Sequence, residues 1–177
     1  MPGPIILLDP PAIERATARI AHEIKERNPT NQHVALIGIA RGGVHLAKRL
    51  ASLLSGLWQH PVPMGCLDVG MHRDDLHQQA TPNLHPTDMP FNVDDKTVVL
   101  VDDVLFRGRT TRAALDALND FGRPRRVQLA VLIDRGHREL PIKADFVGKN
   151  VPTSLHERIN VKLREEGGED VVYLEKQ

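Results

Sequence analysis

Two adjacent carboxylates, Asp102 and Asp103, close the apolar run Thr97-Val-Val-Leu-Val101 and lead into Val-Leu-Phe-Arg107-Gly108-Arg109-Thr110-Thr111. A strand that ends in two acids and then turns through a glycine into a helix suits the chemistry of a phosphorylated sugar. The turn presents backbone N–H groups that have no intrahelical partner, together with the positive end of the helix dipole, and both favour a phosphate. Gly108 permits close backbone approach, and Thr110 and Thr111 add hydroxyl donors. The two acids fall at the C-terminal edge of a sheet, where α/β proteins bind ligands. There they can accept hydrogen bonds from vicinal sugar hydroxyls or face a magnesium ion. Neither G-x-x-x-x-G-K-[ST] nor G-x-G-x-x-G occurs, which weakens nucleotide-hydrolase and dinucleotide readings.

The elements that must position these residues are legible as periodic segments. Pro10-Pro11 followed by Ile13, Ala16, Ile20 and Ile24 predicts an amphipathic helix ending near Asn28-Pro29. Val34 to Gly38 reads as a buried strand, after which Gly42-Gly43 opens a helix carrying Val44, Leu46, Leu50 and Leu54. Val62 to Val69 reads as a strand with Cys66 as a packed core thiol. Thr97 to Val101 and Val127 to Ile133 are further strands, separated by a helix from about 110 to 121 that Gly122 closes. This alternation predicts an α/β fold with a mostly parallel twisted sheet flanked by helices. Residues 70–92, polar and containing Pro82, Pro86 and Pro90, read as a flexible flap. Ile159 to Leu163 and Val171 to Leu174 read as an antiparallel hairpin within 156–177, capping or edging that sheet. The whole chain, 1–177, is expected to form one domain.

Composition bounds the rest. The 177 residues include 41% apolar ones, enough for a core, and only 3% aromatic ones, so stacking is not the main way a ligand is held. One cysteine excludes an internal disulfide and any zinc site built on paired thiolates. No apolar run approaches the ~20 residues needed to span a bilayer and no signal sequence is evident, so a cytoplasmic protein with no membrane partner is expected. His72, His77 and His85 do not have the i, i+4 spacing of a helical metal pair and read as solvated loop residues.

Lys+Arg and Asp+Glu both number 23, a net charge of zero that at first argues against a nucleic-acid partner. The distribution argues otherwise. Residues 107–149 hold ten basic side chains against five acids, a net of +5, leaving −5 elsewhere, and Asp68 to Asp103 holds eight acids against two bases. A basic face of that kind attracts phosphates.

The strand, acid pair and Gly/Thr turn resemble the phosphoribosyl-pyrophosphate (PRPP) motif of the type I phosphoribosyltransferases. A closer resemblance is to the PyrR family, which attenuates pyrimidine operons and acts as a uracil phosphoribosyltransferase. It rests on Leu67-Asp68 with Arg73-Asp74-Asp75-Leu76, Val101-Asp-Asp-Val-Leu105, Gly122-Arg-Pro124, Gln128 to Ile142 and Ala144 to Ser154. It covers the chain from about Ile13 onward, and the block 122–154 is specific to that family.

The resemblance implies a type I phosphoribosyltransferase fold and the reaction of uracil with PRPP to UMP and pyrophosphate, with Mg2+. It implies that Asp102, Asp103, Arg73 and Asp74 serve catalysis, the last two on a flap that closes over pyrophosphate. Arg41, Gly42, Asp102, Asp103, Arg107, Gly108, Arg109, Thr110 and Thr111 would hold PRPP or UMP, and Ile133, Asp134, Arg135 and Gly136 would read uracil, largely through backbone groups. No protein ligand to the metal is assigned outright; magnesium would arrive with PRPP near Asp102 and Asp103. Arg19, His22, His137, Arg138, Lys143 and Lys149 would contact the leader mRNA of the pyrimidine operon, with UMP or UTP as effectors. A homodimer or higher homo-oligomer is implied, and DNA is not.

The chain also departs from the family pattern. Arg41-Gly42-Gly43 replaces a usual Thr-Arg-Gly, Gly70-Met71-His72 replaces Thr-Leu-Tyr, Arg107 replaces the Thr before Gly108, and Ala18 replaces a Thr on the first helix. Three of these surround one site and point to a weaker catalyst. Two other readings share the same residues: a regulator that has lost turnover and keeps the pocket as a sensor, and a pure salvage enzyme without RNA binding. A purine-type enzyme, suggested by Arg41-Gly42-Gly43 alone, conflicts with the 122–154 block.

Overall fold

The computed structural model describes residues 3–30, 33–74 and 86–176. Asp75, Leu76, His77, Pro82 and His85, named above, lie outside the described residues. The element order is β1 (Ile5–Leu8), α1 (Pro10–Arg27), β2 (Val34–Ile39), α2 (Gly43–Trp58), β3 (Met64–Leu67), β4 (Thr97–Leu105), α3 (Arg109–Leu118), β5 (Arg126–Asp134), β6 (Phe146–Asn150), β7 (Glu157–Lys162) and β8 (Val171–Lys176). Five strands form a parallel sheet in the order β3-β2-β4-β5-β6.

The helices form for local reasons. Asp9 caps α1 by accepting a hydrogen bond from the Ala12 N–H at 2.9 Å, Pro10 and Pro11 occupy the first turn, and Lys25 and Arg27 face the negative end of the dipole. Ile13, Ile20 and Ile24 on α1 join Leu46, Leu50 and Leu54 on α2 against Leu36, Val99, Val101 and Leu132 of the sheet. The alternate residues Ile37, Val98, Leu100, Leu129 and Val131 point to the other face and meet Ala113, Ala114, Ala117 and Leu118 of α3. Each face of the sheet thus has its own core. Among the described residues, no helix is long and apolar enough to cross a membrane.

Of the two roles expected for the C-terminal hairpin the cap is the one that forms: β7 and β8 pair with β1 in a separate antiparallel sheet ordered β1-β8-β7. One strand was not expected and two expectations are corrected. β6, unforeseen, adds the outer strand beside β5, with Phe146 its one buried side chain. His72 is not a solvated loop residue: it is half-buried in a 3-10 turn at Gly70–His72, with Nε2 3.2 Å from Asp120 Oδ2. Cys66 is only half-buried, its Sγ donating to the Pro86 carbonyl at 3.4 Å.

One arginine of the main body makes a dense set of ion pairs to the small sheet's connecting loop. Arg49 on α2 forms paired hydrogen bonds to Asp170 at 2.8 Å each and to Glu165 at 2.7 and 2.6 Å. Its guanidinium, which donates to both, holds the Asp170 and Glu165 carboxyls below the ordinary carboxylate range. Their contribution is therefore complete above pH ~4, the unfolded value, and is lost as pH falls through the depressed folded values. Arg49→Met is expected to cost about 2 kcal/mol near pH 7, because it strands Asp170 (8% exposed) without its partner. Thermal melts should show a drop of roughly 4–8 °C at pH 7 that nearly vanishes in strong acid. A drop of the same size at both pH values would assign the effect to packing instead.

Candidate functional site

The order of the main sheet creates the site. β3 lies on one side of β2 and β4 on the other, so the connections leaving β2 and β4 diverge and open a crevice at the C-terminal edge. The loop 40–43 leaves β2 there, with a cis peptide between Ala40 and Arg41, and the loop 106–108 leaves β4 beside it.

Asp102 and Asp103 were expected just beyond a strand ending at Val101, but β4 continues through both to Leu105. β5 carries the ladder on, pairing Asp102 with Val131, Val104 with Ile133 and Leu105 with Asp134. Both acids are thus fixed by sheet backbone. Asp102 is buried and its Oδ1 accepts the Asp103 N–H at 2.9 Å, while Asp103 Oδ1 accepts the Val104 N–H at 2.7 Å. Burial, and then the charge of Asp103, pushes the Asp102 carboxyl well above the ordinary carboxylate range; the Asp103 N–H and the charge of Arg73 act in the opposite sense. A pair of this kind favours a ligand that brings positive charge.

Beside the acids lies a cavity of about 600 Å³ lined by Arg73, Asp74, Asp102, Val104 to Thr111 and Glu139. Gly108, with φ at +91°, starts α3 without any side-chain cap, so the first turn of the helix faces the cavity with its N–H groups. Thr111 is buried and Thr110 half-buried. The guanidinium groups around this cavity are already held by acids: Arg109 and Arg112 by Asp74, Arg107 and Arg109 by Glu139. The hydrogen bonds that Arg109 donates to Glu139 and Asp74 hold it still further above its ordinary value.

Arg73, Asp74, Asp102 and Arg107 to Thr111, named from the sequence, therefore gather around one cavity. Asp103, Arg41 and Gly42 stand beside it: a Cβ placed on Gly42 would lie 2.3 Å from Asp103 Oδ2. Two acids are too few for a protein cage around a metal, and among the described residues no cluster of three or more His, Cys, Asp or Glu side chains could hold one. The donor set fits a magnesium ion that arrives on a polyphosphate ligand.

The segment 133–136 is less open than the sequence suggested. Ile133 is fully buried, the Arg135 N–H donates to the Leu105 carbonyl at 3.0 Å, and the Gly136 N–H donates to Asp134 Oδ1 at 3.0 Å. The Arg135 guanidinium turns inward to Thr153, Ser154 and Glu157 and covers the Phe106 ring at 3.9 Å. Burial, aided by Arg107, holds it below its ordinary value.

The six residues named for RNA fall into two groups. Arg19 and His22 on α1 are both exposed; Arg19 lies beside β6 and donates to the Val147 and Gly148 carbonyls, His22 faces α2 near Ser52, Leu53 and Gly56, and the exposed Lys149 reaches the Leu7 carbonyl at 3.2 Å. Lys143, also exposed, lies in the segment leading into β6. His137 and Arg138 are half-buried and tied into the loop beside Phe106. His137 Nε2 is 2.5 Å from the Thr153 carbonyl, and Arg138 donates to the Phe106 carbonyl at 2.7 Å, the Ile142 carbonyl at 2.9 Å and Asp134 Oδ2 at 2.5 Å. Nor does the basic stretch 107–149 form one face. The exposed Arg123, Arg125 and Arg126 sit at the N-terminal end of β5, opposite the end occupied by Arg107, Arg109 and Arg112. The division of the chain into an acidic side and a basic side is corrected accordingly.

Phe106 and Glu139 were not singled out from the sequence. Phe106 sits where two guanidinium groups and His137 converge, with Arg107 4.9 Å above its ring. The phosphate turn itself offered the only signal for either.

Comparison with known proteins agrees with this geometry. The phosphoribosyl transferase domain family matches residues 6–163. A protein of Roseiflexus named bifunctional protein PyrR is 59% identical over 170 residues, covering 95% of this chain and 93% of its own length. The chain belongs to the PyrR family of phosphoribosyl transferases. Other PyrR relatives are the bifunctional proteins of Deinococcus radiodurans, 56% identical with 95% and 92% of the two chains covered, and of Enterococcus faecalis, 49% identical with 96% of each covered. Among solved structures, the hypoxanthine phosphoribosyltransferase of Trypanosoma cruzi superposes with a TM-score of 0.73 over 98% of this chain and 97% of its own. At 18% identity that likeness establishes the type I phosphoribosyltransferase fold and carries no argument about the base that a PyrR-family pocket takes.

Proposed function

We propose that the chain joins uracil to PRPP, releasing pyrophosphate and forming UMP, and that it binds pyrimidine-operon leader RNA in response to uridine nucleotides. The observation that carries the first activity is the convergence of Asp102, Arg73 and the Arg107–Thr111 turn on one cavity. In this reading the turn and the start of α3 bind the 5′-phosphate, and Asp102 and Asp103 accept hydrogen bonds from the ribose hydroxyls. The C1–O bond to pyrophosphate breaks as a C–N bond to uracil forms, and positive charge develops on the ribose ring. The acid pair, buried Asp102 and half-buried Asp103, stabilises that charge. Asp102 and Asp103 would face a magnesium ion that arrives on PRPP, and that ion would supply charge neutralisation of the leaving pyrophosphate. Arg73 and Asp74 lie where the chain leaves the cavity rim and would shield the reacting centre from water.

Arg107, the replacement in the phosphate turn, extends along Phe106 towards Glu139 and leaves Gly108 and the threonines clear. This geometry supports turnover over a pocket kept only as a sensor. Purified protein supplied with uracil, PRPP and Mg2+ is expected to release UMP, and no UMP above background would leave the sensor reading. Guanine and hypoxanthine in place of uracil are expected to give no nucleotide.

The RNA reading rests on the α1–β6 side, where Arg19, Lys143 and Lys149 present cations to solvent, with the exposed imidazole of His22 on the neighbouring α1–α2 face. Lys149→Gln is expected to weaken leader-RNA binding severalfold and reduce its salt slope by about one, with UMP formation unchanged. Arg138→Gln is expected to impair both activities, because its guanidinium braces the loop next to Phe106. RNA affinity and salt dependence that survive Lys149→Gln and Lys143→Gln would place the RNA elsewhere. The family reading also proposes a homo-oligomer working in the cytoplasm, with mass measurement in solution as its check.

A further inference from the structure

The phosphate turn is not waiting empty-handed. Arg109 pairs with Glu139 at 3.3 Å and with Asp74, and Arg107 approaches Glu139 at 3.5 Å. Glu139 is also tied through its backbone, its N–H donating to the Arg107 carbonyl at 3.0 Å. It follows His137 and Arg138 directly, in a segment whose other anchors are the Thr153, Phe106 and Ile142 carbonyls and Asp134. One acid therefore touches both the cations that a phosphate would use and the segment 135–142.

From this contact we propose that Glu139 is the positioning residue through which occupation of the phosphate cavity reaches the 135–142 segment. The inference rests on the cavity being the phosphate site of the reading above. A nucleotide 5′-phosphate carries about −1.5 to −2 charges at pH 7 and takes short hydrogen bonds from guanidinium groups. Placed at the start of α3, it competes with Glu139 for Arg107 and Arg109 and repels its carboxylate. The ion pair breaks, Glu139 turns outward, and the segment loses its charged side-chain tie to Arg107 and Arg109, leaving the Arg138 contact to the Phe106 carbonyl. The same coupling runs in reverse: whatever holds 135–142 in the released arrangement tightens nucleotide binding by the same factor.

Hydrogen exchange on wild type and Glu139→Gln, each with and without UMP, tests the proposal. Gln keeps the shape of the side chain and removes its charge, so the ion pair is lost with little change in packing. In the wild type, UMP is expected to protect 107–112 and to raise exchange several-fold across 135–142. In Glu139→Gln without UMP, exchange across 135–142 is expected at the raised level already, and UMP is expected to protect 107–112 without further change. The variant is also expected to bind UMP severalfold more tightly, since one of the two internal competitors is gone and Asp74 alone remains. A wild-type segment 135–142 indifferent to UMP overturns the proposal, as does a variant that still responds as the wild type does. If UMP protects nothing anywhere, the phosphate-site reading falls and this inference with it. Failure of leader-RNA binding or of UMP formation, with the exchange pattern as expected, overturns only the activity concerned.

Discussion

Asp102→Asn is expected to slow UMP formation by at least about a hundredfold, the usual consequence of removing one preorganised electrostatic partner of a transition state, and at the same time to make the protein more stable above neutrality. Both effects come from one placement. Asp102 is 8% exposed and lies beside Asp103, so its ionised form is desolvated and repelled. The folded chain consequently holds the Asp102 proton more tightly than the unfolded chain does, and stability falls as pH rises from the unfolded value of about 3.9 through the raised folded one. Asn removes that cost and keeps an oxygen for the Asp103 N–H. Thermal melts should coincide for wild type and variant near pH 3 and separate progressively up to pH 8, by about 2–4 °C for each kcal/mol recovered. Equal shifts at both ends would show that the charge is not the source.

The same reasoning orders the pH profiles. Asp102 must be ionised to stabilise positive charge on the ribose ring, so its raised value moves the acid limb of the rate profile upward. Asp103→Asn removes the neighbouring charge that helps cause that rise and should shift the limb to lower pH even as the maximum rate drops.

How much of this was legible beforehand follows from the range of the forces involved. The three helices could be read because their apolar stripes repeat within one or two turns, as Ile13, Ile20 and Ile24 do on α1. β1 could not, because Ile5 and Ile6 are exposed and gain their place only by pairing with Leu174 and Tyr173 at the other end of the chain. β6 was hidden because an outer strand with one buried side chain, Phe-Val-Gly-Lys-Asn, has no alternation to show. β4 was read four residues short because apolar character stops at Val101, whereas the ladder continues for as long as β5 offers partners. The acid pair and the phosphate turn were visible as a local motif. The counter-ions were not: Asp74 meets Arg109 across 35 residues and Glu139 meets it across 30, and only the crevice at the sheet edge brings them together. Arg138 shows the limit from the other direction, since its place in a basic run suggested solvent and RNA, while three carbonyls and Asp134 bind it inside the loop.

The glycines at the start of α2 allow the second large effect to be isolated. Gly43→Ala is expected to cost more than about 4 kcal/mol, a size that single substitutions reach only through severe overpacking or strain. A Cβ on Gly43 would lie 1.9 Å from the Val101 carbonyl oxygen and 3.0 Å from the Asp102 Cα. Those are backbone atoms of the central strand, so no side chain can swing aside; α2 would have to lift off β4 or β4 would have to leave its ladder with β5. Low yield of folded protein, or a melting temperature lower by roughly 10 °C or more, is expected for Gly43→Ala. Gly42→Ala differs although its neighbour is nearer on paper than any contact allows, 2.3 Å from Asp103 Oδ2. That obstacle is the end of a side chain, and Asp103 can rotate at the loss of its 2.7 Å hydrogen bond from the Val104 N–H. Gly42→Ala is therefore expected to melt within a few degrees of the wild type and yet form UMP at least about tenfold more slowly, because the displaced carboxylate no longer faces the ribose position. The two glycines have backbone angles open to most residues at this point, with Gly42 at φ −64°, so alanine fails for want of space and not of conformational freedom. If Gly42→Ala retained full activity, Asp103 would have no fixed task at the sugar, and Asp102 alone would carry the stabilisation assigned to the pair.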